Sequence, residues 1–210
     1  MELYKIGSPK SEVVKQIQKA LHLYPDGIYG VLTRDAVMAF QRTHGLTPDG
    51  IVGAKTLALL IPKRLKKSKR RINEIIIHCS ATPEGKDYTV SDIRRWHTTP
   101  KSKGGRGWSD IGYHYVVYRN GHVEPGRDVD ISGAHCEGHN SHSIGICYVG
   151  GMDRQNKNTK DTRTLAQKAA LLSLLKDLRQ LYPTAKIYGH RDFANKACPS
   201  FDAKKEYNGL

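Results

Sequence analysis

Near its C-terminus the chain reads GHRDFANKACPS, which places His190, Lys196 and Cys198 within nine residues, between Gly189 and Pro199. The flanking glycine and proline mark a constrained loop, and loops held by a rigid scaffold often carry chemistry. Alone, the His–Cys pair admits three readings: metal ligands, a thiol nucleophile with its base, or part of a core. A second histidine bears on the choice, because His78 closes the apolar run INEIIIHC much as His190 closes AKIYGH. Two imidazoles and one thiolate form a set that holds catalytic zinc and leaves the fourth tetrahedral position for water. A structural zinc site would more often show close-set CxxC pairs, and this sequence has none. With Cys198 as nucleophile and His190 as base, His78 has no part. In the purely structural reading, Cys198 is buried beside Pro199.

These residues need strands to hold them. INEIIIHCSAT reads as a buried strand, VSDIRRWHTT as a helix, and GYHYVVYRNGHVEPGRD as a hairpin turning at Asn120-Gly121. SIGICYVGG is a further apolar strand, TRTLAQKAALLSLLKDLRQLY a long amphipathic helix, and AKIYGH a short last strand. Strands mixed with helices predict one α/β domain over residues 72–210, with a mixed central sheet flanked by helices. Cys79 and Cys147 lie inside strand-like stretches and read as ordinary buried thiols. His97, His114, His122, His139 and His142 read as surface or packing residues, with His139 and His142, which flank Asn140 in a polar loop, also placed to line a groove. Trp96 and Trp108 suit either stacking on a ligand or the core.

The first sixty residues have a different texture. PDGIYGVLTRDAVMAF from Pro25 and PDGIVGAKTLALLI from Pro48 repeat one another at an offset of 23 residues. Each copy is a Pro-Asp-Gly turn followed by a short apolar helix. Upstream, Val13, Val14, Ile17, Ala20 and Leu21 fall at helical spacing. Two copies are too few for a solenoid, so residues 1–61 are expected to form a small three-helix domain. Between the domains, PKRLKKSKRR carries seven basic residues from Lys63 to Arg71 and reads as a solvated basic linker over residues 62–71.

Over the whole chain, 34 Lys and Arg against 20 Asp and Glu give a net charge of +14. Such a surplus favours anionic polymers as neighbours. Nucleic acid ranks below cell-envelope polymers, because the basic run lacks interleaved aromatics and no groove-reading motif is present. The opening MELYKIGSPKSEVVKQ has neither the apolar core nor the cleavage site of a secretory signal, and no apolar run approaches a membrane span. The expectation is synthesis in the cytoplasm, without a transmembrane segment, as a monomer with reduced thiols.

Taken in order, IIIHCSAT, GWSDIGYHYVVYRNGHVEPGRD, GAHCEGHNSHSIGICYVGG and GHRDFANKACPSFD resemble the zinc-dependent N-acetylmuramoyl-L-alanine amidases of phage-lysozyme type, whose fold is shared by the peptidoglycan recognition proteins. The twofold DGIxGxxT pattern resembles the peptidoglycan-binding domain at one end of many cell-wall hydrolases. The resemblance implies Zn2+ held by His78, His190 and Cys198, catalytic roles for Tyr113 and Lys196, and substrate contacts from His135 and Asn140. It implies a modular phage endolysin that acts on bacterial peptidoglycan after release from the host cytoplasm. The alternative is a non-catalytic recognition module, against which the intact cysteine at position 198 argues. Cys136, beside His135, has no assigned role.

Overall fold

The computed structural model describes residues 3–61 and 65–210, which form two compact units divided at residues 64 and 65. The expected start of the basic linker at residues 62–64 lies outside the described residues.

In the first unit, α1 (Glu12–Ala20), α2 (Val31–Thr43) and α3 (Ala54–Leu60) surround a core of Val14, Ile17, Tyr29, Val37, Val52 and Leu60. Ser11 starts α1 by accepting the Val14 N–H, whereas Gly30 and Gly53 open α2 and α3 without a side-chain cap. The repeat has a physical basis that lies upstream of its Pro-Asp-Gly turns. Gln18 is 3% exposed, and its amide nitrogen donates to Asp26 Oδ1, Ile28 O and Thr33 Oγ1 at 2.7, 3.0 and 3.2 Å. Its oxygen accepts the Gly27 N–H at 2.8 Å. Gln41 makes the same four bonds to Asp49, Ile51, Thr56 and Gly50, at 2.9, 3.0, 3.2 and 2.9 Å. Each buried amide therefore has its hydrogen bonds satisfied by its own turn and the following helix.

The second unit is built on β1 (Glu74–Cys79), β3 (Tyr115–Val117), β4 (Val123–Pro125), β5 (Ser143–Tyr148) and β7 (Lys186–Gly189), in the order β4-β3-β5-β1-β7. Short strands β2 (Thr82–Pro83) and β6 (Gly151–Met152) pair apart from them. All neighbours in the large sheet are parallel except the hairpin partner β4 at its edge. Successive residues face opposite sides of a strand. Ile75, Ile77, Ile144 and Ile146 accordingly meet Leu171, Leu175 and Leu178 of α5 (Leu165–Leu181). On the other face Val116, Cys147 and Val149 pack with Val90 and Ile93 of α4 (Val90–Thr98). A last turn, α6 (Ala203–Glu206), closes the chain. The mixed sheet flanked by helices is the expected architecture.

Residues 65–71 differ from the solvated linker expected there. Ser68 is buried; its N–H donates to Tyr182 Oη and its hydroxyl to Val129 O, both at 2.6 Å. Arg70 donates to the carbonyls of Val129, Asn140, Ser141 and Ser143. Lys66 reaches Asp128 and Asp130 at 3.0 and 2.7 Å. The charge run did not foretell docking because its carboxylate and carbonyl partners lie some sixty to seventy residues downstream.

Candidate active site

The register of the sheet brings the two strand-end histidines together. β1 and β7 run parallel with Ile77 opposite Gly189, so the next residues, His78 and His190, emerge side by side at the C-terminal ends of their strands. That edge is where open α/β sheets bind ligands. The two rings lie 4.7 Å apart between centroids. The loop after His190 then returns Cys198 to the same point. Its Sγ accepts the Cys79 N–H at 3.3 Å and lies 3.8 Å from His78 Nδ1. One donor atom from each of His78, His190 and Cys198 falls within 4.8 Å of the others. His78 is buried, and His190 and Cys198 are half-buried.

Burial holds the His78 imidazole well below the ordinary histidine range, and His135, His190 and Lys196 add to the effect. Burial, then Lys196, lowers His190 as well. Both rings are therefore neutral near pH 7, and a neutral imidazole has a lone pair to offer a cation. A hydrogen bond with the Cys79 thiol, and then burial, push the Cys198 thiol up. Two nitrogen donors and one sulfur, converging without a protein cation between them, fit a tetrahedral zinc site.

His135 sets the orientation of His78. The Ser143 hydroxyl donates to His139 O at 2.7 Å, so its contact of 3.3 Å with His135 Nε2 is an N–H donated to the hydroxyl oxygen. Burial holds His135 well below its ordinary range, so its ring is neutral and Nδ1 is an acceptor. His78 Nε2–H donates to that Nδ1 at 3.0 Å. The remaining lone pair of His78 then sits on Nδ1, the nitrogen facing Cys198. Glycines make the slot for this relay, since a Cβ at Gly133 or Gly145 would collide with the His135 ring. The sequence reading missed Ser143, Gly133 and Gly145; the only signal was their nearness to His135 in GAHCEGHNSHSIG.

Tyr113 is half-buried with its ring 5.2 Å from that of His78, and burial pushes its phenol well above the ordinary tyrosine range. It is a neutral hydrogen-bonding group throughout the physiological range. Lys196 is exposed on the loop between His190 and Cys198, and its charge is felt by both histidines. Asn140 Oδ1 accepts the His135 and Cys136 N–H groups at 2.8 and 2.9 Å, which folds the loop that carries His135. His97 and His114 are buried acceptors for the N–H groups of Gly112 and Gly145. His122 is exposed. His139 and His142 both reach Glu74, a residue the sequence reading did not single out. Trp96 packs beside the α4 core, and Trp108 lies against His97. All four cysteines are free thiols. Among the described residues no helix is long and apolar enough to cross a membrane.

Comparison with known proteins agrees with this geometry. Residues 68–201 match the N-acetylmuramoyl-L-alanine amidase family, and residues 10–60 match a peptidoglycan binding domain. The endolysin of Klebsiella phage KP32 is 44% identical over 137 residues, covering 65% of this chain and 86% of that protein. The endolysin of Escherichia phage T7 is 42% identical over 139 residues, covering 66% and 87%. Among solved structures, the N-acetylmuramoyl-L-alanine amidase LysC from Clostridium intestinale aligns with a TM-score of 0.52 at 25% identity, over 65% of this chain and 82% of its own. Drosophila PGRP-LB aligns with a TM-score of 0.55 at 25% identity, over 71% and 86%. A matched family spanning well over half of the sequence, on a sheet whose strand ends gather His78, His190 and Cys198, makes this chain a member of the N-acetylmuramoyl-L-alanine amidase family with a peptidoglycan binding domain at its N-terminus.

Proposed function

We propose that the protein is a phage endolysin whose second unit hydrolyses the amide between the lactyl group of N-acetylmuramic acid and the L-alanine of the stem peptide. Zinc would be held by His78, His190 and Cys198, and the first unit would keep the enzyme on the wall. The observation that carries this reading is the convergence of three donor atoms within 4.8 Å at adjacent strand ends in an amidase-family chain.

A zinc ion held there would supply Lewis acidity to polarise the amide carbonyl and to make water a stronger acid. The chain's own groups do the rest. The His135–His78 relay keeps a lone pair on His78 Nδ1 and prevents the ring from turning away. The Tyr113 phenol orients the attacking water or the scissile carbonyl by hydrogen bonding. The Lys196 ammonium, free to swing on its exposed loop, meets negative charge as it develops on the carbonyl oxygen. His135 acts in this scheme through His78 rather than by touching substrate, since both its nitrogens are engaged within the protein. Asn140 acts by folding the loop that presents His135.

The net charge of +14 supports additional attraction to anionic envelope polymers. Mass spectrometry of digested sacculi tests the reaction. Free stem peptides with N-terminal L-alanine beside intact glycan are expected, and new reducing sugar ends would overturn the assignment.

A further inference from the structure

We propose that Glu74, His139 and His142 form a second cation site, for a divalent transition metal such as zinc, cobalt or nickel. Among the described residues, only two groups of three donors converge within 4.8 Å: His78 with His190 and Cys198, and these three. Glu74 Oε2 lies 2.8 Å from His139 Nδ1 and 3.4 Å from His142 Nε2. Ligands about 2.0–2.2 Å from a tetrahedral ion stand roughly 3.3–3.6 Å apart, so these donors need little movement to close on one. Both imidazoles reach the same carboxylate oxygen, so three donor atoms of metal-binding type converge on one point.

Each donor is also fixed independently. Glu74 begins β1, and its side chain is 16% exposed. The His139 ring lies against Phe193 with centroids 3.8 Å apart. His142 Nδ1 is 3.2 Å from Ser141 Oγ, a contact that holds the ring with Nε2 toward Glu74. Arg70 grips the carbonyls of Asn140 and Ser141 between the two histidines. The donors are thus preorganised on a strand and on a pinned loop. Two imidazoles and one carboxylate select borderline transition cations, whereas calcium and magnesium require mainly oxygen ligands.

The two sites share one face of β1, because Glu74 and His78 are an even number of residues apart; along the strand they are about 13 Å apart. One loop serves both, with His135 reaching His78 and with His139 and His142 reaching Glu74. An ion at the second site would fasten this loop to the start of β1 and raise the melting temperature, as any ligand of the folded state does.

The proposal does not depend on the amidase reading, and the test keeps the two apart. Tag-free full-length protein is stripped of metal, equilibrated with cobalt at micromolar free concentration, and assayed for bound metal and visible absorption. The parent is expected to bind two equivalents, one of them with a thiolate-to-cobalt charge-transfer band. Cys198→Ser should lose that band and keep one equivalent, which further substitution of Glu74→Gln or His142→Ala should remove. In the otherwise unchanged chain, either substitution should leave one equivalent with the thiolate band intact. A Cys198→Ser protein that binds no cobalt would overturn the second site, as would two equivalents persisting in both Glu74→Gln and His142→Ala. One equivalent in the parent, without the thiolate band and lost with Glu74→Gln, would sustain the second site while removing the first.

Discussion

The two units hold their buried polar groups in opposite ways. In the first, each glutamine bonds partners no more than 15 residues away, and the whole network recurs at a fixed offset. In the second, His78 meets His135 across 57 residues and Cys198 across 120. A local network forms as soon as its own helix and turn fold, and duplication copies it intact. A site assembled over long separations exists only once the sheet has set its register, and every member depends on that register. The difference teaches where substitutions should be silent and where they should not: damage to a clasp stays within its unit, whereas damage at the strand ends abolishes function without unfolding much.

The sharpest test of the long-range site is Cys198→Ser. It should remove zinc from the strand-end site, leaving at most the equivalent held at Glu74, His139 and His142, and reduce amidase turnover to background with far-ultraviolet circular dichroism unchanged, because an alcohol is a far poorer ligand than a thiolate. Zinc content and turnover measured together check this, and full activity in metal-free parent protein would break the zinc assignment. Lys196→Ala separates ligand from oxyanion partner. Zinc should stay bound while kcat falls about 10²–10³-fold, the usual loss for one donor.

Next in size is the relay. His135→Leu cannot accept from His78 and should weaken zinc binding by roughly 10–100-fold, as loss of a ligand's hydrogen-bond partner commonly does. His135→Asn, whose oxygen can stand near the Nδ1 position, should restore most of the affinity. Competition with a chromogenic chelator reads both. Equal loss in the two variants would assign His135 to packing alone.

For the local network, Gln41→Leu strands the carboxylate and backbone groups around Asp49, Ile51 and Gly50, and should destabilise the first unit by about 1–3 kcal/mol. Turnover of a soluble muropeptide should be unaffected, and Gln18→Leu should match it, since the two clasps are copies. Denaturant unfolding and a soluble-substrate assay give the comparison. A loss of soluble turnover would show the units to be energetically coupled.

The smallest effect expected is acid sensitivity of the clasps. The Ile28 N–H and then Gln18 hold the Asp26 carboxyl below its ordinary value of 3.8, and the Ile51 N–H and Gln41 do the same for Asp49. A folded pKa below the unfolded one contributes stability that is complete above the unfolded value and lost as pH falls through the folded one. Unfolding of the first unit should therefore become easier below about pH 4. Asn at both positions should flatten that dependence, as followed by melting temperature against pH.

Much of this molecule was legible in its sequence. The repeat at offset 23, the hairpin at Asn120-Gly121 and the amphipathic run that became α5 are local patterns, and local patterns follow from backbone preference and hydrophobic period. His78, His190 and Cys198 were readable as ligand types at strand ends, and the motifs around them carried the family. Other features left no local mark. The basic run from Lys66 to Arg70 resembles any solvated stretch until Asp128, Asp130 and the carbonyls from Val129 to Ser143 are folded against it. Glu74 looks like the polar first residue of a strand, and only the pinned loop brings His139 and His142 onto it. The direction of the Ser143–His135–His78 relay was likewise beyond the sequence, because proton positions follow from which neighbour is nearest in space. Residue type and period thus determined the elements and the chemistry on offer; the parallel register of β1 with β7, and the loop Arg70 holds down, decided which groups meet, since contacts between residues far apart in the chain are fixed only when the whole sheet closes.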